Sequence, residues 1–220
     1  MARTPVNGMV LAIAATFGAT KTMSAITNAT SAVATFEASH GVIVTDIVQI
    51  VTSGWAKAVG RVARASVVAT NDVTLESLNT SNTTDFPAAG GAGTVREIAT
   101  WTTVGQILND SVQSTGGTPR KQTFQYLDQD AEVSEFIGEE AASFDFTIHD
   151  DLTLSGQALI ETLNASRAVT PFSLTAKNGV RWYGAGTFFI SVAPQLTGND
   201  SVKRSVSIAL AVPKMTQYVS

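Results

Sequence analysis

The 220 residues carry a net charge of −4 and a pI near 5.1, which excludes general electrostatic attraction to nucleic acid and leaves only local or weak contact with DNA. With 44% hydrophobic and 15% charged residues, the chain can bury the core of one large domain or two small ones, and a disordered polypeptide is excluded. It has no cysteine and two histidines, His40 and His149, far apart and without H-E-x-x-H spacing, so disulfides, thiolate catalysis, sulfur-ligated metals, zinc sites and Ser-His-Asp triads lack raw material.

Val10 to Ala19 is apolar and rich in small residues behind Arg3, the outline of a signal peptide. Pro5, Asn7 and Gly8 interrupt the approach, however, and Leu11, Ile13, Ala15 and Phe17 share one parity, so the segment is expected to form a strand. No apolar run approaches 18 residues, and no membrane span is expected.

From Lys21 to Gly93, short β-branched runs alternate with Asn, Ser, Gly and Asp. Strands are predicted at Met23 to Ile26, Ala32 to Phe36, Ile47 to Val51, Val59 to Val68 and Val73 to Leu78, spaced for a small barrel or meander. Asn79 to Gly93 closes this block as a Thr/Asn and Gly-rich stretch without regular structure, a flexible connector by default. Gly90 to Gly93 lacks the Lys and Ser/Thr of a phosphate loop.

Beyond it, strands are predicted at Thr94 to Thr103, at Gln122 to Leu127, and at Ser143 to Ile148, where Phe144, Phe146 and Ile148 alternate with polar residues. One amphipathic helix is expected over Leu152 to Ser166, with Leu159 and Leu163 at i and i+4 beside Ile160, and with either Asp151 or Ser155 as its cap. A hairpin then turns on Asn178-Gly179, read as a type I′ turn between arms Phe172 to Lys177 and Val180 to Gly184. In the final strand Val202, Val206, Ile208, Leu210 and Val212 share one parity.

Nine acids, Asp128, Asp130, Glu132, Glu135, Glu139, Glu140, Asp145, Asp150 and Asp151, lie between Lys121 and Asp151, opposed there only by Lys121. A solvated loop and sheet face accounts for such a run without any special function. Glu139-Glu140 and Asp150-Asp151 are sequence neighbours, which on a strand face opposite sides, so neither pair suits two-carboxylate hydrolysis. His149, Asp150 and Asp151 lack a calcium-loop pattern and read as helix-start acids. Trp55, Trp101 and Trp182 could stack on sugars, but as isolated Trp residues in a β protein they read as core. Arg61, Arg64, Arg96 and Arg120 are candidates for pairing with acids of other subunits.

Two resemblances follow. Ile26-Thr-Asn-Ala29, Ser39-His40-Gly41, Asp46-Ile-Val48, Ser53-Gly54-Trp55, Gly60-Arg61-Val62 and Val73-Thr-Leu75-Glu76 resemble a small β module of phage structural proteins, similar to the first catalytic cysteine half-domain of ubiquitin-activating enzymes. Thr123-Phe-Gln-Tyr126 with its acidic loop, Phe144-Asp-Phe-Thr-Ile148, Asp150-Asp151 before the helix, Asn178-Gly179, Gly184 to Val192, Asn199-Asp200-Ser201-Val202 and the alternating last strand, in that order, resemble the major tail tube protein of long non-contractile phage tails.

That resemblance implies a mainly β fold: an antiparallel sandwich or barrel core with one helix from residues 1–20 and 94–220, and an inserted small β-barrel module from residues 21–93 on the outside. It implies a structural, non-enzymatic virion protein made in the host bacterial cytoplasm, without cofactor or metal. Copies would form stacked rings, hexameric in the family, around a conduit for DNA ejection. Partners would be further copies, the tail tip or initiator, tape measure and terminator proteins, and transiting phage DNA, with no membrane. Asp130, Glu132, Glu135, Glu139 and Glu140 are the implied lumen-facing acids. Thr80, Asn82, Asp85, Phe86, Gly90 and Gly93 are the implied inter-ring loop, and the N-terminus through Met9 and the loop from Thr80 to Gly93 would order on assembly. The rival reading is a secreted β-sandwich adhesin or carbohydrate-binding module, for which the six Asn-x-Ser/Thr sequons would matter in a eukaryotic secretory route.

Overall fold

The computed structural model describes residues 7–128, 130–196, 201–212 and 215–218. The fold is mainly β with one helix, as expected, and it contains a closed six-stranded antiparallel barrel with extra strands. The barrel is built from β2 (Lys21–Ile26), β3 (Ala32–Phe36), β4 (Ile47–Ser53), β5 (Val62–Ala69), β6 (Asp72–Glu76) and the first part of β7 (Gly93–Thr103), in the order β2-β3-β6-β5-β4-β7. A further pairing, Lys21 to Met23 against Val95 to Gly93, joins β7 to β2 and completes the ring. Its interior holds Met23, Phe36, Ile50, Trp55 and Leu75, each contributing about 1.5–3 kcal/mol by leaving water. Because closure leaves no edge, every stave is paired on both sides.

The far half of β7 leaves the barrel and pairs with β1 (Val10–Phe17), so one strand belongs to both units. From there the sheet runs through β12 (Thr170–Thr175), β13 (Arg181–Ile190), β14 (Lys203–Leu210) and β11 (Ser143–His149) to a three-residue edge strand, β8 (Gln113–Thr115). Helix α1 (Ser155–Ser166) covers one face, its Ile160 and Leu163 packing into a core with Leu11, Ile13, Phe172, Phe188 and Ile208. A short C-terminal strand, β15 (Thr216–Tyr218), pairs with β13. There Tyr218 packs with Val62, Ile98 and Tyr183 where barrel and sheet meet.

Several expectations are corrected. Leu11 and Ile13 enter the helix-covered core with Ala14 on the opposite face, as alternation requires, but a bulge around Ala15 breaks the expected parity, so that Phe17 packs with Ala14 at the barrel junction. The strand predicted from Val59 starts at Val62, and the one predicted to Leu78 ends at Glu76. The helix starts at Ser155, not Leu152, and neither Asp151 nor Ser155 is its cap: Leu154 holds that place without a side-chain bond. Asp151 Oδ1 instead accepts from the Thr153 N–H (3.1 Å) and hydroxyl (2.5 Å), while Gln157 Oε1 takes the Asp151 N–H (2.8 Å). The Asn178-Gly179 turn is not type I′, because only Gly179 has positive φ (86°). The Ala176 N–H donates to Val180 O (2.8 Å) and the Gly179 N–H to Ala176 O (2.9 Å), a three-residue loop with a glycine bulge that lets Ala176 and Val180 both be buried.

Candidate assembly interface

At the edge of the sheet the chain does something the sequence did not announce. The strand predicted at Gln122 to Leu127 lies instead at β9 (Pro119–Phe124), and the acidic stretch after it is not simply a loop but carries β10 (Val133–Glu139), which pairs with β9 alone. Between β8 and β9 the Gly117 N–H donates to Glu140 O (3.1 Å), and the Glu140 N–H donates to Thr118 O (2.9 Å). Thus β8-β9 and β10-β11 form one long two-stranded ribbon, rooted in the sheet at one end and free of it at the other.

The joint is set by Gly116 and Gly117, both at positive φ (80° and 70°). A Cβ on Gly116 would lie 1.9 Å from the carbonyl oxygen of Ala141, so only glycine lets the two strands cross this closely. A bulge at Ile137 and Gly138 adds further twist. Beyond the joint nearly every side chain is exposed, including Tyr126, Leu127, Val133, Phe136 and Ile137. A two-stranded ribbon with wet faces is marginal in water, and one that also bares this much apolar surface marks an interaction site.

The acids named as lumen candidates sit on this ribbon: Asp130 and Glu132 at its far end, Glu135 and Glu139 on β10, and Glu140 at the joint, all exposed. Glu140 Oε2 accepts from the Thr118 hydroxyl (2.7 Å). Register brings Arg120 and Lys121 of β9 opposite Gly138 and Phe136, so bases lie among the acids more closely than sequence order suggests. Asp128 also lies at the far end of the ribbon, and the other three acids are dispersed. Asp145 lies in the sheet, accepting from Ser143 and Ser207. Asp150, with Glu161, faces Arg204, whose guanidinium also donates to Ser191 O.

The loop named for inter-ring contact packs against its own barrel. Thr80 is fully buried, its hydroxyl donating to Thr27 O (2.6 Å) and accepting from the Ala29 N–H (3.2 Å). Phe86 is buried edge-on against Trp55, whose Nε1–H donates to Pro87 O (2.7 Å), and a Cβ on Gly90 would strike that indole. Asp85 pairs with Lys57 (2.5 Å), Gly93 opens β7, and Asn82 is exposed. The flexible connector expected here is therefore a packed cover over the barrel end. Of the residues expected to order on assembly, 1–6 lie outside the described residues, as do Asn199 and Asp200 of the loop quoted for the resemblance.

Three of the four arginines thought available to other subunits are engaged within the chain. Arg61 Nε–H donates to Lys57 O (3.0 Å) beside Phe86, Arg64 pairs with Glu76 (2.7 Å), and Arg96 lies over Phe17 with its Nε–H on Gln49 (2.9 Å). Trp55 is buried, and Trp101 and Trp182 are half-buried against Tyr183 and the helix-covered core. Buried His40 accepts the Val42 N–H at Nδ1 (3.0 Å), which leaves the proton on Nε2 to donate to Thr70 O (2.9 Å), a satisfied core histidine. Among the described residues no three His, Cys, Asp or Glu side chains are grouped to hold a metal, and no helix is long and apolar enough to cross a membrane.

Residues 53–220, about three-quarters of the chain, match the model of a family described as phage tail tube protein, TTP. The match enters at the end of β4 and takes in β5, β6, the packed cover, the sheet and the ribbon. No curated protein matches the chain.

Proposed function

The chain belongs to the phage tail tube protein family, and from that premise we propose that its copies close into six-membered rings which stack into the conduit for DNA ejection. The family is one of structural virion proteins, which gives the chain a place in the phage tail and in a stacked assembly with other tail proteins. The finer reading is a long non-contractile tail, with synthesis in the host cytoplasm and contacts to the tail tip or initiator, tape measure and terminator proteins.

The observation that carries it is the ribbon: the sheet ends in a short edge strand and a two-stranded extension that bares apolar side chains, and a sister copy could complete both. A heterologous contact whose rotation closes gives a ring, and one whose rise does not close gives a tube. The barrel of residues 21–93, completed by β7, has no edge to donate and suits the outer wall as a module separate from the core formed by 1–20 and 94–220. Asp130, Glu132, Glu135, Glu139 and Glu140 would face the lumen, where like charge repels phosphate and keeps DNA sliding. Asn82 and Asp85, at the surface of the packed cover, remain candidates for the contact between rings; Thr80, Phe86, Gly90 and Gly93 would support them from within.

Top views of the purified polymer by electron microscopy test the ring, with six-fold symmetry expected and any other order counting against it. Phage carrying Gln at Glu132, Glu135, Glu139 and Glu140 tests the lumen. Normal tails with slowed ejection are expected, and unchanged ejection would remove the lumen assignment.

A further inference from the structure

Beside the root of the ribbon lies an apolar groove of about 340 Å³, lined by Met9, Leu11, Ile107, Val112, Phe144 and Leu174, among others, with no charged residue in its wall. Its rim carries one base: Gly8 lines the groove, and a Cβ there would touch the side chain of Lys177, which is exposed. The far end of the ribbon presents the complement. Tyr126 and Leu127 are exposed apolar side chains, Leu127 completely so, followed by the exposed acid Asp128. No residue of the ribbon beyond the glycine joint lines this groove, and pairing with β10 holds β9 extended, so that the chain from Gly117 to Leu127 measures up to roughly 30 Å at about 3.3 Å per residue.

We propose that Leu127 and Tyr126 of one copy seat in the apolar groove between β1, β8 and β11 of a second copy, with Asp128 beside them facing Lys177. The contact is head-to-tail and uses two different surfaces of the same chain, so every copy both inserts and receives, and the chain of contacts runs on without closing. It buries apolar surface on both sides, which neither copy can do alone. The spacing between successive copies is then set by the ribbon's length, and the glycine joint sets its direction. The inference rests on the stacking reading above and names the surfaces that would carry it.

Because the chain has no cysteine, the contact can be tested by directed disulfides. Leu127→Cys and Asn109→Cys both replace exposed side chains, the second in the groove wall, so neither disturbs the fold. Chains with one change each, mixed, polymerised and oxidised, are expected to give mixed dimers as the main product, and a chain with both changes a ladder. Leu127→Asp is expected to raise the concentration needed for polymerisation at least about tenfold with the circular dichroism spectrum unchanged, while Leu127→Met retains it. Tubes that form without the cross-link, or that form equally well with Leu127→Asp, would overturn the docking and leave the stacking reading standing. If Arg3→Cys rather than Leu127→Cys links to Asn109→Cys, the groove belongs to the chain's own N-terminus and the docking is overturned. Wild-type protein that never associates would overturn both.

Discussion

The barrel and the ribbon are both antiparallel β structure from one chain, yet they stand in opposite relations to water. The barrel closes on itself through the pairing of β2 with β7, seals one end with the Thr80–Phe86 cover, and buries Trp55, Leu75 and Phe36. The ribbon pairs two strands with each other, buries almost nothing, and leaves Leu127, Phe136 and Ile137 exposed. Closure makes a unit stable and inert as a single copy, whereas an open extension is useful only if another molecule completes it. A tube subunit needs both: a part that stays folded alone and a part whose folding is finished by assembly.

The first way to break the comparison is to damage each stable part. Phe172→Ala, in the sheet core against Phe188, is expected to cost about 3–5 kcal/mol, and Leu75→Ala, inside the barrel, about 2–5 kcal/mol, read from urea unfolding. Because β7 runs through both units, a single transition is expected in each variant; a barrel that melts separately would show the shared strand to be a weak link. Arg204→Ala removes the group that ties α1 through Glu161 and the Ser191 carbonyl to β14, and should cost about 2–3 kcal/mol in the same assay without touching the ribbon.

Tyr218→Phe is a finer probe of the junction. The Tyr218 hydroxyl accepts the Arg64 N–H (2.9 Å) and donates to Glu76 O (2.8 Å), so its loss leaves barrel backbone unsatisfied and should cost about 1–2 kcal/mol. Near the same junction, burial and the neighbouring Asp46 raise the Glu97 carboxyl above its ordinary value, so the folded state favours its proton. Stability from this group is therefore full below the ordinary carboxylate range and lost as pH climbs through the raised folded value. Glu97→Gln should flatten that dependence and raise Tm at neutral pH by on the order of 1 °C. Smallest of all, Gln at Glu132, Glu135, Glu139 and Glu140 should leave monomer stability within about 0.5 kcal/mol, because these side chains are exposed on the ribbon.

How much could be read in advance follows the same division. The barrel strands were visible as β-branched runs between turn residues, and β11 and β14 as clean alternation, because each has one buried face. Ribbon strand β10 was invisible for the opposite reason: with both faces wet there is no period, and its acids looked like a loop. The β2–β7 closure joins residues some seventy positions apart, a pairing that no local pattern carries. At the helix start Asp151 spends its carboxylate on Thr153 and its N–H on Gln157, so no side chain caps the helix, and at the hairpin the burial of Ala176 and Val180 overrode the usual turn for Asn-Gly. Thr80 hid in a run of Thr and Asn that read as solvent-loving, although its hydroxyl is the bolt that holds the cover shut.

Amide hydrogen exchange on the monomer and on the polymer tests the account most directly. In the monomer, ribbon amides of Pro119–Phe124 and Val133–Glu139 should exchange within roughly tenfold of an unstructured peptide, while β3 to β6 of the barrel are protected by about 10⁴-fold or more. On polymerisation, ribbon protection should rise about 100-fold and barrel protection should barely move. A ribbon already protected in the monomer, or still unprotected in the polymer, would contradict the claim that neighbouring copies complete it.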